Sequence, residues 1–210
     1  MDTKRIYLIR HGETDFNKNG VVQGSGVDSS LNDIGLRQAK LFFEKYKHVP
    51  FEKVYTSALQ RTIQSVQNFI VSGIPHEIIP ELNELSWGIS EGIPFSHESN
   101  KLYFEIIDSW KQGDIHRAMK GGESPIQVKK RQEVAVKKIL SEKEKLILVC
   151  MHGRAMKIML AWITGHDIRH MDLFEHDNLS LYILKYSDNH FEIERSNDRS
   201  HLNGMKSNSL

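Results

Sequence analysis

The stretch IYLIRHGET at residues 6–14 decides how this chain folds. Its first four residues form an apolar, β-prone run that ends at a charged, glycine-containing segment, which is typical of a buried strand leading into a polar loop. A second run of this kind, LILVC at residues 146–150, ends at Met151-His152-Gly153. We therefore predict two buried strands whose carboxyl ends each carry a histidine followed by a glycine.

Strand-like and helix-like segments alternate along most of the chain. This alternation favours an α/β fold, a three-layer α/β/α sandwich with a mostly parallel central sheet and helices on both faces. Because ligands of such sheets bind outside the carboxyl ends of the strands, the two histidines should meet at one site. Further strands are predicted at residues 53–56 and 77–79, a hairpin at 181–186 with 191–195, and helices at 32–46, 58–71, 125–140 and 154–164.

The length of the chain fits one domain with an insertion. The chain has 210 residues, and a domain takes roughly 150. Residues 93–123 lack strand character and contain one helix-like segment at 102–110, so we predict a small inserted cap that covers the site. Residues 1–202 are predicted to form a single domain, and residues 203–210 a disordered tail.

Composition excludes several classes of protein. Lys and Arg number 28 and Asp and Glu number 27, a net charge of +1, so we expect neither nucleic acid nor an anionic membrane as a partner. The single cysteine cannot form an internal disulfide, which favours a reducing compartment. The longest apolar runs, at 146–151 and 158–163, have six residues, whereas a membrane helix needs about 20. With no signal-peptide pattern at the N-terminus, we predict a cytoplasmic location; the oligomeric state is not predicted.

Two arginines beside the predicted site indicate an anionic ligand. Arg10 directly precedes His11, and Arg61 lies one turn into the helix that follows the strand at 53–56. The planar guanidinium matches phosphate or carboxylate, and helix N-termini attract anions. Two arginines and two histidines, His11 and His152, around one point would form a pocket for a dianion in a chain that is otherwise nearly neutral.

Six segments, in order and over nearly the whole chain, carry further motifs. They are RHGET at 10–14 with Asn17, SALQRT at 57–62, LNE at 82–84 followed by WG and EG, GGES at 121–124, MHG at 151–153, and ND with SHL at 197–202. Together they resemble the histidine phosphatase superfamily, the phosphoglycerate-mutase-like proteins, and within it the short alpha-ribazole and broad-specificity phosphatases. Ala58, Ser65 and Ser90 depart from residues common in the family, but none of these changes removes a group that the chemistry needs.

The resemblance implies a phosphatase that uses covalent catalysis and needs neither a metal nor a cofactor. His11 would attack phosphorus and become a phosphohistidine, and the neighbouring arginines would keep its ring neutral. Glu84 would protonate the leaving oxygen and then activate the water that cleaves the intermediate. The implied phosphate- and substrate-binding residues are Arg10, Asn17, Gln23, Gly24, Arg61, His152 and Gly153.

Two other functions stay open. A cofactor-dependent phosphoglycerate mutase would use the same histidine but return the phosphoryl group to the substrate. A binding module would keep the pocket without turnover. The short chain and cap favour the phosphatase branch, acting on a small phosphomonoester. The sequence does not name that substrate, because every phosphomonoester presents the same group and the specificity lies in residues 93–123.

Some residues have ordinary interpretations as well. Taken singly, Arg10, Arg61 and Glu84 fit a solvated surface, and Asn17, Gln23 and Gly24 fit an ordinary loop. Cys150 closes an apolar strand, so we predict a core cysteine and not a nucleophile. Residues 166–170, HDIRH, are similar to a zinc-protease motif, but Gly165 has just ended a helix, so we predict no metal site. Cap residues either touch the substrate or pack the cap; they are Trp110, His116, Met119 and Lys120.

Overall fold

One six-stranded sheet runs through the protein. The computed structural model describes residues 3–94 and 97–205. In the order β3-β2-β4-β1-β5-β6, the first four strands are parallel, and β5 and β6 form an antiparallel hairpin at one edge. This confirms the predicted, mostly parallel sheet. The strands are β1 (Lys4–Arg10), β2 (Lys53–Thr56), β3 (His76–Ile78), β4 (Leu146–Met151), β5 (Leu181–Ser187) and β6 (His190–Asp198).

The helices begin where the sequence supplies caps. The Asn32 side chain accepts a hydrogen bond from the Gly35 amide at the start of α2, and Ser124 forms a capping box with Gln127 at the start of α5. The predicted helix at 58–71 begins at Gln60, because Leu59 is extended. The helices are α1 (Asp15–Lys18), α2 (Asp33–Tyr46), α3 (Gln60–Val71), α4 (His97–Lys111), α5 (Pro125–Ser141) and α6 (Gly153–Ile163).

Alternate residues of the central strands face two separate cores. In β4, Ile147 and Val149 pack into one cluster with residues of α5 and α6, whereas Leu148 and Cys150 pack into the other with residues of α2 and α3. A strand buried on both faces reads as a continuous apolar run, which is why residues 146–150 are so strongly hydrophobic. Helices therefore cover both faces of the sheet, as the predicted three-layer sandwich requires.

The parallel register of β1 and β4 places the two histidines side by side. Arg10 pairs with Met151 across the ladder, and the backbone amide of His11 donates to the Met151 carbonyl over 3.0 Å. The ladder therefore ends at the same level in both strands, and His11 and His152 emerge next to each other.

The predicted cap packs onto the core with aromatic side chains. The Trp110 ring stacks on Trp87 with 5.6 Å between centroids, and its Nε1 donates to the Arg117 carbonyl over 2.8 Å. Trp110 and Met119 are buried, whereas His116 and Lys120 are exposed. Trp110 and Met119 therefore contribute to packing. Residues 95 and 96 of the predicted cap lie outside the described residues.

Residues 203–205 of the predicted tail lie among the described residues. In the predicted tail, the Met205 amide donates to the Leu202 carbonyl, and the Met205 side chain packs against the core cluster that faces α2 and α3. Residues 206–210 lie outside the described residues.

Within residues 3–94 and 97–205, none of the helices combines the length and apolar character that crossing a bilayer demands.

Two glycines let the loop after β1 press against the start of α2. A Cβ at Gly12 would lie 2.8 Å from the Gly35 carbonyl oxygen, and a Cβ at Gly35 would lie 2.1 Å from the Glu13 carbonyl oxygen. Neither neighbour is a flexible side chain, so the backbone itself would have to shift. This contact fixes the position of the loop that carries His11.

Gly35→Ala should therefore destabilise the protein, although alanine favours helices by up to about 1 kcal/mol over glycine. We expect a net loss of about 1–3 kcal/mol from overpacking, measured by urea denaturation. Lys40→Ala, at an exposed position of the same helix, is the control and should change the stability by less than about 0.5 kcal/mol. A more stable Gly35→Ala variant would contradict the close approach.

Candidate active site

The residues singled out in the sequence meet at the carboxyl edge of the sheet. The rings of His11 and His152 lie 5.2 Å apart between centroids. Arg61, from the first turn of α3, donates from Nε to His152 Nδ1 over 3.1 Å. All three side chains are buried. Segments from three distant parts of the chain thus surround one point.

The hydrogen bond of His11 fixes which nitrogen is free to react. Its Nδ1 lies 2.7 Å from the Gly12 carbonyl oxygen, which can only accept, so Nδ1 carries the proton. Burial, followed by the charges of Arg61 and Arg10, lowers the pKa of His11 well below its ordinary value. Burial therefore contributes more to keeping the ring neutral than the charges of the two arginines do. The sequence had predicted the arginines alone as the cause. The neutral ring leaves Nε2 with a lone pair.

His152 is held at both ring nitrogens. Because Nδ1 accepts from Arg61, the proton of the neutral ring is on Nε2, which donates to Ser57 Oγ over 2.7 Å. Burial, with the charge of Arg61, lowers the pKa of His152 well below its ordinary value. A direct bond from His152 to a phosphate oxygen therefore requires Ser57 or Arg61 to change partner. Ser57 lies in the segment quoted above, but its role was not predicted.

Arg61 is a fully buried cation that bonds only to neutral groups. Besides His152, it donates from Nη1 to the Val27 carbonyl over 2.6 Å and from Nη2 to the Gly24 carbonyl over 3.1 Å. Burial lowers the pKa of Arg61 to about 10, against the opposing charges of Glu84 and Asp28. Gly24 therefore contributes to the site through its carbonyl oxygen, which helps to orient the Arg61 side chain. These three bonds use three of the five N–H groups of the guanidinium.

Arg10 faces a third histidine that the sequence analysis missed. Its Nη1 lies 3.3 Å from His176 Nδ1, and its Nε is buried with no hydrogen-bond partner in the described part of the chain. Burial and the charge of Arg10 lower the pKa of His176 to about 3, so its neutral ring accepts from Arg10. A Cβ at Gly153 would lie 2.7 Å from His176 Cε1, so the glycine makes room for this contact. His176 lies in an irregular loop, where no periodic pattern marks it.

The loop after His11 is tied down by amide side chains. Asn17 Oδ1 accepts from the Thr14 amide over 3.2 Å and from Asn178 Nδ2 over 3.1 Å. Asn178 also donates to the His11 carbonyl over 3.0 Å, a role not predicted from the sequence. Gln23 Oε1 accepts from Thr14 Oγ1 over 2.8 Å. Asn17 therefore lies at the site with its amide nitrogen as the remaining donor, whereas Gln23 supports the loop.

Glu84 lies at the N-terminus of α6. Its Oε1 accepts from the amides of Leu85 and Ala155, each over 2.8 Å, and its Oε2 accepts from the Arg154 amide over 3.0 Å. These three backbone donors hold both oxygens of the Glu84 side chain at the start of α6. Burial lowers the pKa values of Arg10 and Arg61, and the charge of Glu84 opposes this lowering. The Glu84 carboxylate is therefore close to both arginines while bonded to backbone amides.

The structure also describes two other segments considered in the sequence, the strand end at Cys150 and the HDIRH motif at residues 166–170. Cys150 is fully buried, and burial raises the pKa of its thiol, which confirms a core cysteine. His166 bonds to Thr164 Oγ1 over 2.9 Å and packs against Phe174. Because residues 168–173 form a 3-10 helix, the two histidines of HDIRH do not share one face of an α-helix. In residues 3–94 and 97–205, no three metal-ligating side chains cluster.

The lowered pKa values of the histidines predict acid-sensitive stability. In the unfolded chain each histidine ring has a pKa of about 6.5. The unfolded state therefore binds more protons as the pH falls below that value, so stability is full above it and is lost on acidification. The histidines concerned are His11, His76, His152, His176 and His201.

Urea denaturation should show the free energy of unfolding falling between pH 7.5 and pH 5.5, by about 1 kcal/mol for each fully buried histidine. This interval lies above the range in which carboxylates titrate. His201→Gln removes one of these rings, so the variant should show a shallower pH dependence. A free energy of unfolding that is equal at both pH values would contradict the buried neutral rings.

Comparison with known proteins finds relatives over most of this chain. Fructose-2,6-bisphosphatase TIGAR B of Danio rerio is 33% identical over 161 residues, which span 74% of this chain and 59% of that protein. A protein of Proteus mirabilis, "Probable phosphoglycerate mutase GpmB", is 29% identical over 210 residues, with 94% of both chains covered. This chain therefore spans less than two thirds of the Danio rerio relative.

Solved structures share the fold. The alpha-ribazole phosphatase of Shigella flexneri aligns with a TM-score of 0.82 at 24% identity, covering 93% of this chain and 96% of that one. Bacillus stearothermophilus YhfR aligns with a TM-score of 0.82 at 25% identity, covering 95% and 99%. The family described as "Histidine phosphatase superfamily (branch 1)" matches residues 6–199. The resemblance seen in the sequence is thus confirmed, and this chain belongs to the histidine phosphatase superfamily.

Proposed function

We propose that this chain is a phosphoric monoester hydrolase that acts on a small phosphomonoester through a phosphohistidine, without a metal. The observation that carries the proposal is the tautomer of His11, whose Nδ1 is bonded to the Gly12 carbonyl. Nε2 is then left as a nucleophile on a ring that burial and the charges of Arg61 and Arg10 keep neutral. A neutral imidazole with a fixed tautomer is the form that attacks phosphorus.

In the first step, His11 Nε2 forms a bond to phosphorus while the bond from phosphorus to the ester oxygen breaks. Arg10 and Arg61 stabilise the charge that spreads over the equatorial oxygens. The leaving oxygen takes its proton from Glu84.

In the second step, water attacks the phosphohistidine. Glu84, now a carboxylate, accepts a proton from the water as the new P–O bond forms and the N–P bond breaks. Inorganic phosphate leaves and His11 regains its lone pair on Nε2. The two guanidinium groups supply the positive charge that a magnesium ion supplies in other phosphoryl-transfer enzymes, so these steps need no metal.

Mutase activity is the second candidate, because the relative from Proteus mirabilis carries the name of a phosphoglycerate mutase. It would share the first step and return the phosphoryl group to the substrate. Incubation with 3-phosphoglycerate and a bisphosphoglycerate primer separates the two functions. Inorganic phosphate is the product expected here, and an isomerised phosphoglycerate would establish the mutase.

A binding module without turnover is the third candidate. Both histidines, both arginines and the carboxylate are present at one point, which favours catalysis over binding alone. Failure to trap acid-labile phosphate with any phosphomonoester would instead support the binding module.

A panel of phosphorylated metabolites, assayed for phosphate release, identifies the substrate. The relatives' names refer to a sugar bisphosphate, a phosphoglycerate and alpha-ribazole phosphate, so the panel should include these classes. The cytoplasmic location and the absence of nucleic-acid partners remain predictions from composition.

His11→Ala should abolish turnover and leave the fold intact, because a histidine at a strand end contributes little to either core. We expect no phosphate release above background, with a circular dichroism spectrum and melting temperature close to those of the parent protein. His48→Ala, at an exposed histidine, is the control and should retain full activity. Unchanged phosphatase activity in His11→Ala would refute the nucleophile.

Glu84→Gln should slow esters with poor leaving groups more than activated aryl esters. kcat/KM covers only the steps up to alcohol release, so it isolates the acid role from the later activation of water. We expect a loss of about 10²-fold or more for an alkyl phosphate and a much smaller loss for 4-nitrophenyl phosphate. Glu81→Gln is the matched control and should show neither loss. Equal losses on both esters would count against Glu84 as the acid.

A further inference from the structure

Arg131 bonds to the backbone of the segment that carries Glu84. From α5, its Nη1 donates to the carbonyls of Glu81 over 2.7 Å and Asn83 over 2.8 Å. Its Nη2 donates to the carbonyl of Glu84 itself over 3.0 Å. Three backbone carbonyls within residues 81–84 are therefore held by one guanidinium on a regular helix.

Glu123 completes the arrangement from the other side. Its Oε1 accepts from Arg131 Nε over 2.9 Å and its Oε2 accepts from Arg131 Nη2 over 3.0 Å, a bidentate pair. Its Oε2 also accepts from the Ser86 amide over 3.0 Å, and its own amide donates to the Ser86 carbonyl over 2.8 Å. All five N–H groups of Arg131 are thus used, and both flanks of Glu84 are fixed.

We propose that Arg131 and Glu123 are positioning residues that hold Glu84 in line for proton transfer to the leaving oxygen. This inference rests on the proposed function, in which Glu84 is the acid. It also gives a physical task to the GGES segment at 121–124, for which the sequence motif alone supplied none. The pair touches no reacting atom and acts only through the backbone that carries Glu84.

Holding Glu84 in this way requires the planar guanidinium group of Arg131. Lysine keeps the charge but cannot reach three carbonyls and two carboxylate oxygens from one rigid group. Without the guanidinium group, the carbonyl of Glu84 loses its hydrogen bond from Arg131, and residues 81–84 are free to shift. A misplacement of about 1 Å can cost about 10²-fold in rate.

The test compares kcat/KM for an alkyl phosphate and for 4-nitrophenyl phosphate in Arg131→Lys and in the milder variant Glu123→Gln. We expect Arg131→Lys to lose between about 10-fold and 10²-fold on the alkyl ester and less than about 3-fold on the aryl ester. Glu123→Gln should show the same selectivity with a smaller loss. Lys129→Gln, which removes a surface ion pair with Glu133 on the same helix, is the control and should leave both values unchanged.

A double variant with Glu84→Gln separates positioning from general destabilisation. Once the acid is absent, Arg131→Lys should add no further selectivity between the two esters. Equal losses on both esters, or no loss, while Glu84→Gln alone stays selective, would overturn the positioning role and leave the proposed function intact. If Glu84→Gln itself shows no selectivity, the acid of the proposed function is wrong and the inference falls with it.

Discussion

The parallel pairing of β1 with β4 is the constraint on which the site depends. It runs from Arg5 opposite Leu146 to Arg10 opposite Met151, and the amide of His11 extends it by one more bond. A shift of one residue would send each strand's side chains to the opposite face and separate the two histidines. The apolar alternation that fills the two cores therefore also sets the alignment of His11 with His152.

The two arginines of the pocket are bonded to neutral groups of the described chain. Arg61 is buried against carbonyl oxygens and a neutral imidazole, and Arg10 faces a second neutral imidazole, that of His176. Buried cations are costly unless they are paired. Glu84 is near both arginines but bonds to backbone amides at the start of α6. In the proposed function, the two arginines bind the phosphate and the separate carboxylate exchanges protons.

Much of this was predictable from the sequence, for identifiable reasons. The strands at 6–9 and 146–150 were predicted because burial on both faces leaves a continuous apolar run, and the residues after them follow from the topology of a parallel sheet. The motifs of the family then pointed to Arg61 and Glu84. Each of these signals is local, or is carried by a recognisable segment.

Other parts of the site leave no such mark. His176 and Asn178 lie in an irregular loop and reach the site only because β5 returns beside β1. Arg131 looks like any charged residue on an amphipathic helix, and its five bonds depend on the course of residues 81–86. Ser57 lay within a quoted motif, yet its bond to His152 follows from the three-dimensional arrangement. Contacts between distant, irregular segments have no local sequence pattern from which they could be predicted.

A crystal structure of the protein with orthovanadate tests the central claim most directly, because vanadate adopts the five-coordinate geometry of phosphoryl transfer. We expect vanadium bonded to Nε2 of His11, with the guanidinium groups of Arg10 and Arg61 on the equatorial oxygens and Glu84 facing the apical oxygen. Vanadate bound elsewhere, or held without a bond to His11, would contradict the central claim.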